Sequence, residues 1–456
     1  MPVSSPNKNM TILGAGLVGS LLSIYLKRRG YNVDIYERRP DLRQAGAYGG
    51  RSINLALSDR GFASLKRIGL DDEIRKVGIP MHGRMMHDVK GQLTYQAYGK
   101  DGQSIYSVSR GGLNFKLMDL AEAEGVRLHF NLRCNEVDLA EQTLHFEHGD
   151  TRQKMSLPYE RLFGTDGAFS ALRASMMKTD RFEYSQDYLP HGYKELTIPA
   201  TPEGEFAMEP NALHIWPRGH FMMIALPNPD KSFTCTLFFP YEGSPSFSEI
   251  NTPADLMAFF ETYFADTIPM MPALVEEYFA NPTPSLVTIR SFPWKYSDSA
   301  LLMGDASHAI VPFYGQGMNS GFEDARVFDE LFEQIGEDWE QLFSAFQLSR
   351  KPDADAIADL AKANFVEMRD KVADADFLLR KKIEAKINEK YPNVWIPLYT
   401  MVTFSPGIRY SEALARGKYQ DGLMDQLMAM GNWYEQFDSP ALDLAIDEIV
   451  AKYHFQ

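Results

Sequence analysis

The chain has 456 residues, 45% of them hydrophobic and 23% charged, an ordinary soluble composition with length for two or three domains. A net charge of −15 argues against a nucleic-acid partner, which requires a basic face. Cys134 and Cys235 stand alone, without CxxC spacing or a Cys/His cluster, so no disulfide framework or metal site is expected and a reducing cytoplasm fits.

Met1–Asn9 is polar and lacks the core of a signal peptide, and no run of roughly 18 apolar residues suggests a membrane span. Met10–Leu13 reads as a strand that ends at Gly14, Gly16 and Gly19. A helical stretch, Ser20–Arg29, closes at Gly30, and Tyr31–Tyr36 alternates as a second strand delivering Glu37. In such a βαβ unit Gly14 permits the tight turn, Gly16 lets the backbone approach a pyrophosphate, and Gly19 lets helix pack on strand. The helix N-terminus offers free N–H groups to phosphate, and Glu37 stands where a carboxylate grips a ribose diol. The motif alone leaves NAD(P), FAD and a ligand-free glycine turn open.

Further along, a second helix is expected around Phe62–Leu70, and Gly112–Glu124 reads as helix followed by a strand at Val126–Phe130. From about 180 to 295 the pattern turns to strands. Leu213–Trp216 and Phe221–Leu226 form a hairpin around Pro217-Arg218-Gly219, and Ser232–Phe239 follows. The nucleotide-binding texture returns at Ala300-Leu301-Leu302-Met303-Gly304-Asp305, then a loop and a helix from about Gly317. Asp305 could bond a ribitol or ribose hydroxyl, although Gly-Asp alone is more often a simple turn. The stretch from Gly321 to about 390 is almost wholly helical, interrupted at Pro352, and Leu442–Val450 is an amphipathic helix packing on the body. His308 tempts a general-base role, but a hydrogen-bonded structural histidine is preferred. No internal repeat is visible.

The trio of Gly14–Gly19, Gly164-Thr165-Asp166-Gly167 and Gly304-Asp305, with Val311–Asn319 as a loop over the flavin, resembles the class A flavin monooxygenases. The resemblance implies an α/β fold of para-hydroxybenzoate hydroxylase type. A Rossmann-type (GR2) FAD-binding domain would comprise 1–75, 104–178 and 296–330. A β-sheet substrate-binding domain would comprise 76–103 and 179–295, with a C-terminal helical region over 331–456. FAD would be bound, with NADPH and O2 as co-substrates. NADPH would dock transiently, which explains the lack of a second Rossmann motif.

Within that class, Glu37–Pro40, Gly50–Ser58, His191–Leu196, Pro210–Pro217 and Tyr399–Ser405 resemble the members that hydroxylate L-kynurenine. Together with the glycine motifs, these matches cover nearly the whole chain. They imply conversion of L-kynurenine to 3-hydroxy-L-kynurenine through a flavin C4a-hydroperoxide, in tryptophan degradation and pyridine nucleotide biosynthesis. Carried over residue by residue, the substrate carboxylate falls to Arg84 and Tyr98, with Asn364 and Tyr399 as further substrate positions. Glu367, three residues after Asn364, is a candidate for the substrate ammonium. Leu213, Met222, Ile224, Phe238 and Phe313 match the walls around the aniline ring, and Gln316 joins the substrate set. On the cofactor side the resemblance points to Gly14, Gly16, Val18, Gly19, Glu37, Arg38, Ala56, Arg110, Asp166, Asp305, Gly317, Met318 and Asn319. No residue is expected to act as acid–base catalyst, because the cofactor carries the chemistry.

Without the resemblance, Arg84 and Tyr98 would read as solvated surface residues, the alternation over Leu213–Phe238 as plain sheet core, and Asn364 with Glu367 as an exposed helical face. Tyr314 departs from the pattern, since members often carry histidine or another residue there, and a phenol cannot become cationic near neutral pH. Three other readings stay open: a related hydroxylase with another substrate, an NAD(P)-dependent dehydrogenase, and a non-catalytic flavin-binding redox sensor. A monomer or homodimer is expected. Eukaryotic members carry a C-terminal membrane anchor that the chain up to Gln456 lacks, so a soluble, cytoplasmic form is expected.

Overall fold

The computed structural model describes residues 8–44, 54–99, 102–368 and 374–454. The expected βαβ unit is strand Asn9–Leu13, helix Leu17–Arg28 and strand Asn32–Tyr36. It sits inside a six-stranded sheet ordered Lys295–Tyr296, Ala300–Leu302, Arg161–Gly164, Asn9–Leu13, Asn32–Tyr36, Arg127–His129. All neighbours are parallel except the edge strand Lys295–Tyr296. Three segments far apart in sequence therefore end side by side: Leu13 pairs with Gly164, and Gly164 with Leu302. Each strand is followed at its C-terminal end by one of the three glycine-acid motifs, where open α/β sheets bind ligands. The central segments Met10–Leu13, Leu162–Gly164 and Ala300–Leu302 are buried between helices, which explains their mostly apolar runs, whereas Asn32–Tyr36 nearer the edge alternates.

A seven-stranded sheet stands apart, ordered Ser285–Phe292, Glu183–Ile198, Phe233–Pro240, Met222–Pro227, Ala212–Pro217, Gly83–His87, Leu93–Ala97. The expected hairpin is present, with Pro217 opposite Met222 and Gly219 at φ +74° in its turn. The period of two divides its side chains cleanly. Leu213, Ile215, Met222, Ile224 and Phe238 join one apolar cluster, whereas Trp216, Phe221, Met223, Ala225 and Phe239 join the cluster on the reverse face. Helices Trp339–Val366, Leu398–Phe404 and Tyr410–Ala429 cover the first face, helix Gly317–Ile335 packs in the core of the six-stranded sheet, and the tail helix Pro440–Ala451 packs in a separate apolar cluster.

Two expectations are corrected. Pro352 does not interrupt the helical region but lies inside Trp339–Val366. Proline removes the bond to the carbonyl four residues back, here that of Leu348, and both residues face solvent, so water can replace it. The helices break instead at Gly336, at φ +75°, and again between Val366 and Ala375. The helix expected around Phe62–Leu70 spans Asp59–Lys66, because Gly69 at φ +76° closes it and the Leu70 amide turns back to the Leu65 carbonyl. Gly50–Ile53, part of the Gly50–Ser58 segment, lie outside the described residues.

Candidate active site

The three glycines of the first turn have distinct surroundings. A Cβ on Gly14, at φ +96°, would lie 2.7 Å from the Thr165 carbonyl oxygen, and one on Gly19 would lie 2.1 Å from the Gly14 oxygen. Those two permit packing between strand, turn and helix. A Cβ on Gly16 would meet nothing within 4 Å. Gly16 caps helix Leu17–Arg28, whose first N–H groups lack partners within the helix, so an anion could sit against it. Val18 fills the space over Gly304 and Gly321, at 3.1 and 2.6 Å from the positions of their missing Cβ atoms, and joins the first and last motifs.

Glu37 is buried, and its carboxylate accepts from the Ala15 amide at 3.0 Å and from the amide and Nε of Arg39 at 3.0 and 2.9 Å. A carboxylate has about four lone-pair sites, so a ribose diol could still donate to it. Arg39, which the sequence reading passed over, thus fixes this acid, while Arg38 is exposed. Asp166 accepts at 2.7 Å from the amide of Ala171, the first residue of helix Ala171–Met176 that Ser170 caps; its Oδ1 is buried without a hydrogen-bond partner. Burial holds Asp166 above the usual carboxylate range, with Ser170 and the Ala171 amide opposing.

Asp305 opens the short helix after Gly304 and is solvent-accessible, yet desolvation by the surrounding protein raises its carboxyl while Arg110 and His308 oppose. Arg110, at the start of helix Arg110–Ala123, is exposed toward the same charge. Gly317 and Met318 begin helix Gly317–Ile335, and their unpartnered amides form a second anion-stabilising helix start. Asn319 is fully buried. Its side chain accepts from the Ser58 amide and donates to the Ala56 and Gly315 carbonyls, which ties the Ala56 strand to the loop. An open Gly16, an accepting Glu37, an accessible Asp305 and two helix starts fit a dinucleotide with an anionic middle and a ring that gains negative charge. His308 bonds Asp324 at 2.6 Å, the structural role preferred for it.

The substrate candidates converge on the front of the seven-stranded sheet. Arg84 lies beside Leu213 in parallel register, and the Tyr98 amide bonds His82 just beyond the neighbouring strand. The Arg84 guanidinium carbon is 4.8 Å from the Tyr399 ring centre and 5.7 Å from that of Tyr98. Tyr399 stacks between Tyr98 at 5.1 Å and Tyr314 at 5.6 Å. The Arg84 Nε and the Tyr98 hydroxyl are buried without a well-formed hydrogen bond, an uncommon cost in a folded protein. Burial opposes the Arg84 charge, but Tyr399, Tyr98 and Glu367 outweigh it and leave the guanidinium firmly cationic. Burial, reinforced by Tyr399, pushes both the Tyr98 and Tyr314 phenols well above their ordinary value, so they remain neutral donors.

Asn364 is buried and donates its amide to the Phe313 carbonyl at 2.7 Å; Glu367, at the end of the same helix, is half-buried and within electrostatic reach of Arg84 and Tyr314. Gln316 is buried, its oxygen held by the Tyr410 hydroxyl at 2.8 Å. Leu213 and Ile224 keep accessible surface, whereas Met222, on the same face and in the same cluster, is wholly buried. Phe313 stacks on Phe365 at 4.1 Å and meets Phe238 at 4.8 Å. Lys381 and Glu384, paired at 3.2 Å, were missed in the sequence; they act electrostatically on Arg84's neighbours Glu367 and Tyr314. Nothing in their polar helix marks them out.

Residues 8–361 match the family model described as an FAD binding domain. The chain is 48% identical to kynurenine 3-monooxygenase of Flavobacterium johnsoniae, over 97% of this chain and 99% of the relative. It is 51% identical to kynurenine 3-monooxygenase of Myxococcus xanthus over 92% and 90% of the two chains, and 44% identical to that of Sus scrofa over 90% and 87%. Among solved structures it resembles 2-methyl-3-hydroxypyridine-5-carboxylic acid oxygenase, with a TM-score of 0.67, 19% identity and coverage of 86% and 99%. It also resembles Pseudomonas aeruginosa PqsL in complex with 2-aminobenzoylacetate, with a TM-score of 0.64, 19% identity and coverage of 81% and 99%. The fold is therefore that of the FAD-dependent monooxygenases, in line with the expected α/β class. Identity at this level over nearly the whole length means that the chain belongs to the kynurenine 3-monooxygenase family.

Proposed function

We propose that the protein hydroxylates L-kynurenine at C3 of its aniline ring, using NADPH and O2. The carrying observation is the Arg84–Tyr98–Tyr399 corner, where a buried guanidinium nitrogen and a buried phenol are left without a well-formed hydrogen bond beside an apolar wall. A planar guanidinium takes a carboxylate bidentately, and the Tyr98 phenol adds a third bond. Glu367 and the remaining carbonyl oxygen of Asn364 suit the ammonium. With Lys381 and Glu384 nearby, two cations and two carboxylates surround this end of the site, a match for a zwitterionic amino acid. Leu213, Ile224, Phe238 and Phe313 hold the aniline ring, and the amide nitrogen of Gln316 can donate to a ketone oxygen.

FAD, when bound, accepts hydride from NADPH and activates O2 for transfer to the ring. Gly14, Gly16, Gly19, Val18, Glu37, Arg38, Ala56, Arg110, Asp166 and Asp305 would hold it, and the amides of Gly317–Asn319 would stabilise negative charge on its pyrimidine edge. The substrate amine releases electron density to the carbon ortho to it, so the protein need supply no base. What the side chains contribute is orientation of that carbon and exclusion of water. Neutral Tyr98 and Tyr314 agree with this division. No helix among the described residues is long and apolar enough to cross a membrane.

The direct test is NADPH oxidation by the FAD-loaded protein with and without L-kynurenine. Stimulation by kynurenine with formation of 3-hydroxykynurenine is expected. Oxidation indifferent to kynurenine would contradict the reading.

A further inference from the structure

Arg60 is wholly buried, and neither the flavin cleft nor the substrate pocket accounts for it. It lies in the first turn of helix Asp59–Lys66, just after the strand carrying Ala56. Its guanidinium leaves that helix for the C-terminal region. Nε donates to the Val402 carbonyl at 2.6 Å, and Nη2 donates to those of Met401 at 3.1 Å, Ser405 at 3.4 Å and Ile408. Nη1 pairs with Glu323 at 2.9 Å, and the group lies 4.0 Å over the Tyr410 ring.

The receiving carbonyls are informative. Helix Leu398–Phe404 leaves its last four carbonyls without intrahelical partners, and Arg60 takes those of Met401 and Val402. A cation at this end also suits the helix dipole. The same helix carries Tyr399, stacked between Tyr98 and Tyr314, and Phe404, 6.3 Å from Tyr98. Glu323 belongs to helix Gly317–Ile335, whose first residues face the flavin cleft, and its other oxygen is fixed by Arg350 at 2.9 Å. One guanidinium thus joins the helix forming the substrate corner to the helix at the flavin edge. Only a planar group with donors on three nitrogens reaches all these acceptors; an ammonium is a single point.

We propose that Arg60 is a positioning residue for kynurenine hydroxylation, setting Tyr399, and with it the Arg84 pocket, in register with the flavin; this rests on the function proposed above. A purely structural Arg60 would affect the folded fraction alone. A positioning Arg60 changes how the folded enzyme holds substrate.

The experiment compares wild type, Arg60→Lys, Tyr399→Ala and the double variant as FAD-loaded enzymes, with KM, kcat and the peroxide released per NADPH as readouts. Arg60→Lys is expected to keep its FAD, raise KM for kynurenine about tenfold and divert more NADPH to hydrogen peroxide. In the Tyr399→Ala background the same substitution is expected to change KM little, because the ring it positions is gone. Unchanged KM and peroxide yield, or effects that multiply fully in the double variant, would overturn the proposal. If Arg60→Lys yields no folded protein, Glu323→Gln serves instead. A raised KM with FAD retained is then expected, and an unchanged KM overturns the assignment. A wild type that fails to hydroxylate kynurenine contradicts the proposed function; a hydroxylating wild type with unaltered variants contradicts only the role of Arg60.

Discussion

The guanidinium carbon of Arg84 lies 4.8 Å from the centre of the Tyr399 ring, so a sheet strand and a C-terminal helix meet in one charged, aromatic corner. Because the Arg84 Nε has no partner there, its hydrogen-bonding capacity is available to a ligand. Arg84→Ala should therefore weaken kynurenine binding by about 1.5–3 kcal/mol, roughly ten- to a hundredfold in KM. The visible flavin spectrum should stay intact. Loss of FAD from this variant would move Arg84 to the cofactor site.

Tyr98 predicts a split between stability and binding. Its hydroxyl is buried without a well-formed bond, so Tyr98→Phe removes a desolvated group and should leave the thermal midpoint unchanged or higher. Kynurenine affinity should fall by about 1 kcal/mol, roughly fivefold. Thermal melts and a substrate titration on one preparation check both; a lower midpoint with unchanged affinity would assign the hydroxyl to the fold instead.

The glycine turn separates folding from cofactor binding. A Cβ at Gly16 meets no atom of the described residues within 4 Å, so Gly16→Val should fold but purify without FAD. Gly19→Ala forces a Cβ to 2.1 Å from the Gly14 oxygen and should destabilise the protein by about 1–3 kcal/mol. Flavin content and thermal midpoint should thus respond to different glycines. A Gly16→Val protein that retains FAD would refute the assigned phosphate approach.

On the reverse face of the Arg84 sheet, His214 donates to the Glu209 carbonyl at 2.8 Å and meets His87 at 2.8 Å. Burial lowers its pKa from 6.5 to about 4, with the Glu209 carbonyl opposing and His87 adding. The folded state therefore resists a proton that the unfolded chain accepts. This contribution is complete above pH 6.5 and is lost as pH falls from 6.5 through about 4. Thermal midpoints across that window should fall less steeply for His214→Gln than for wild type, and parallel curves would rule out this linkage.

Much of this arrangement was legible before folding because it depends on local rules. The glycine turn, the hairpin at Gly219 and the alternation over Leu213–Phe238 are set by backbone conformation and a period of two. Pro352 misled because its effect depends on whether the Leu348 carbonyl meets water, which only the tertiary structure decides. Arg39, Lys381, Glu384 and Arg60 escaped notice for a related reason. Their partners lie on other elements, and a charged residue in a helix looks the same in sequence whether it faces solvent or grips a distant carbonyl. Arg84, Tyr98, Asn364 and Tyr399 became candidates through family resemblance; spacing alone marks none of them.

The central claim is oxygen transfer to a kynurenine ring held at the Arg84 corner. The most direct measurement is turnover of the FAD-loaded protein with NADPH, L-kynurenine and heavy-isotope O2, with the product analysed by mass spectrometry. The account predicts 3-hydroxykynurenine carrying one heavy oxygen atom. Unlabelled product, or NADPH consumed with only hydrogen peroxide formed, would contradict it.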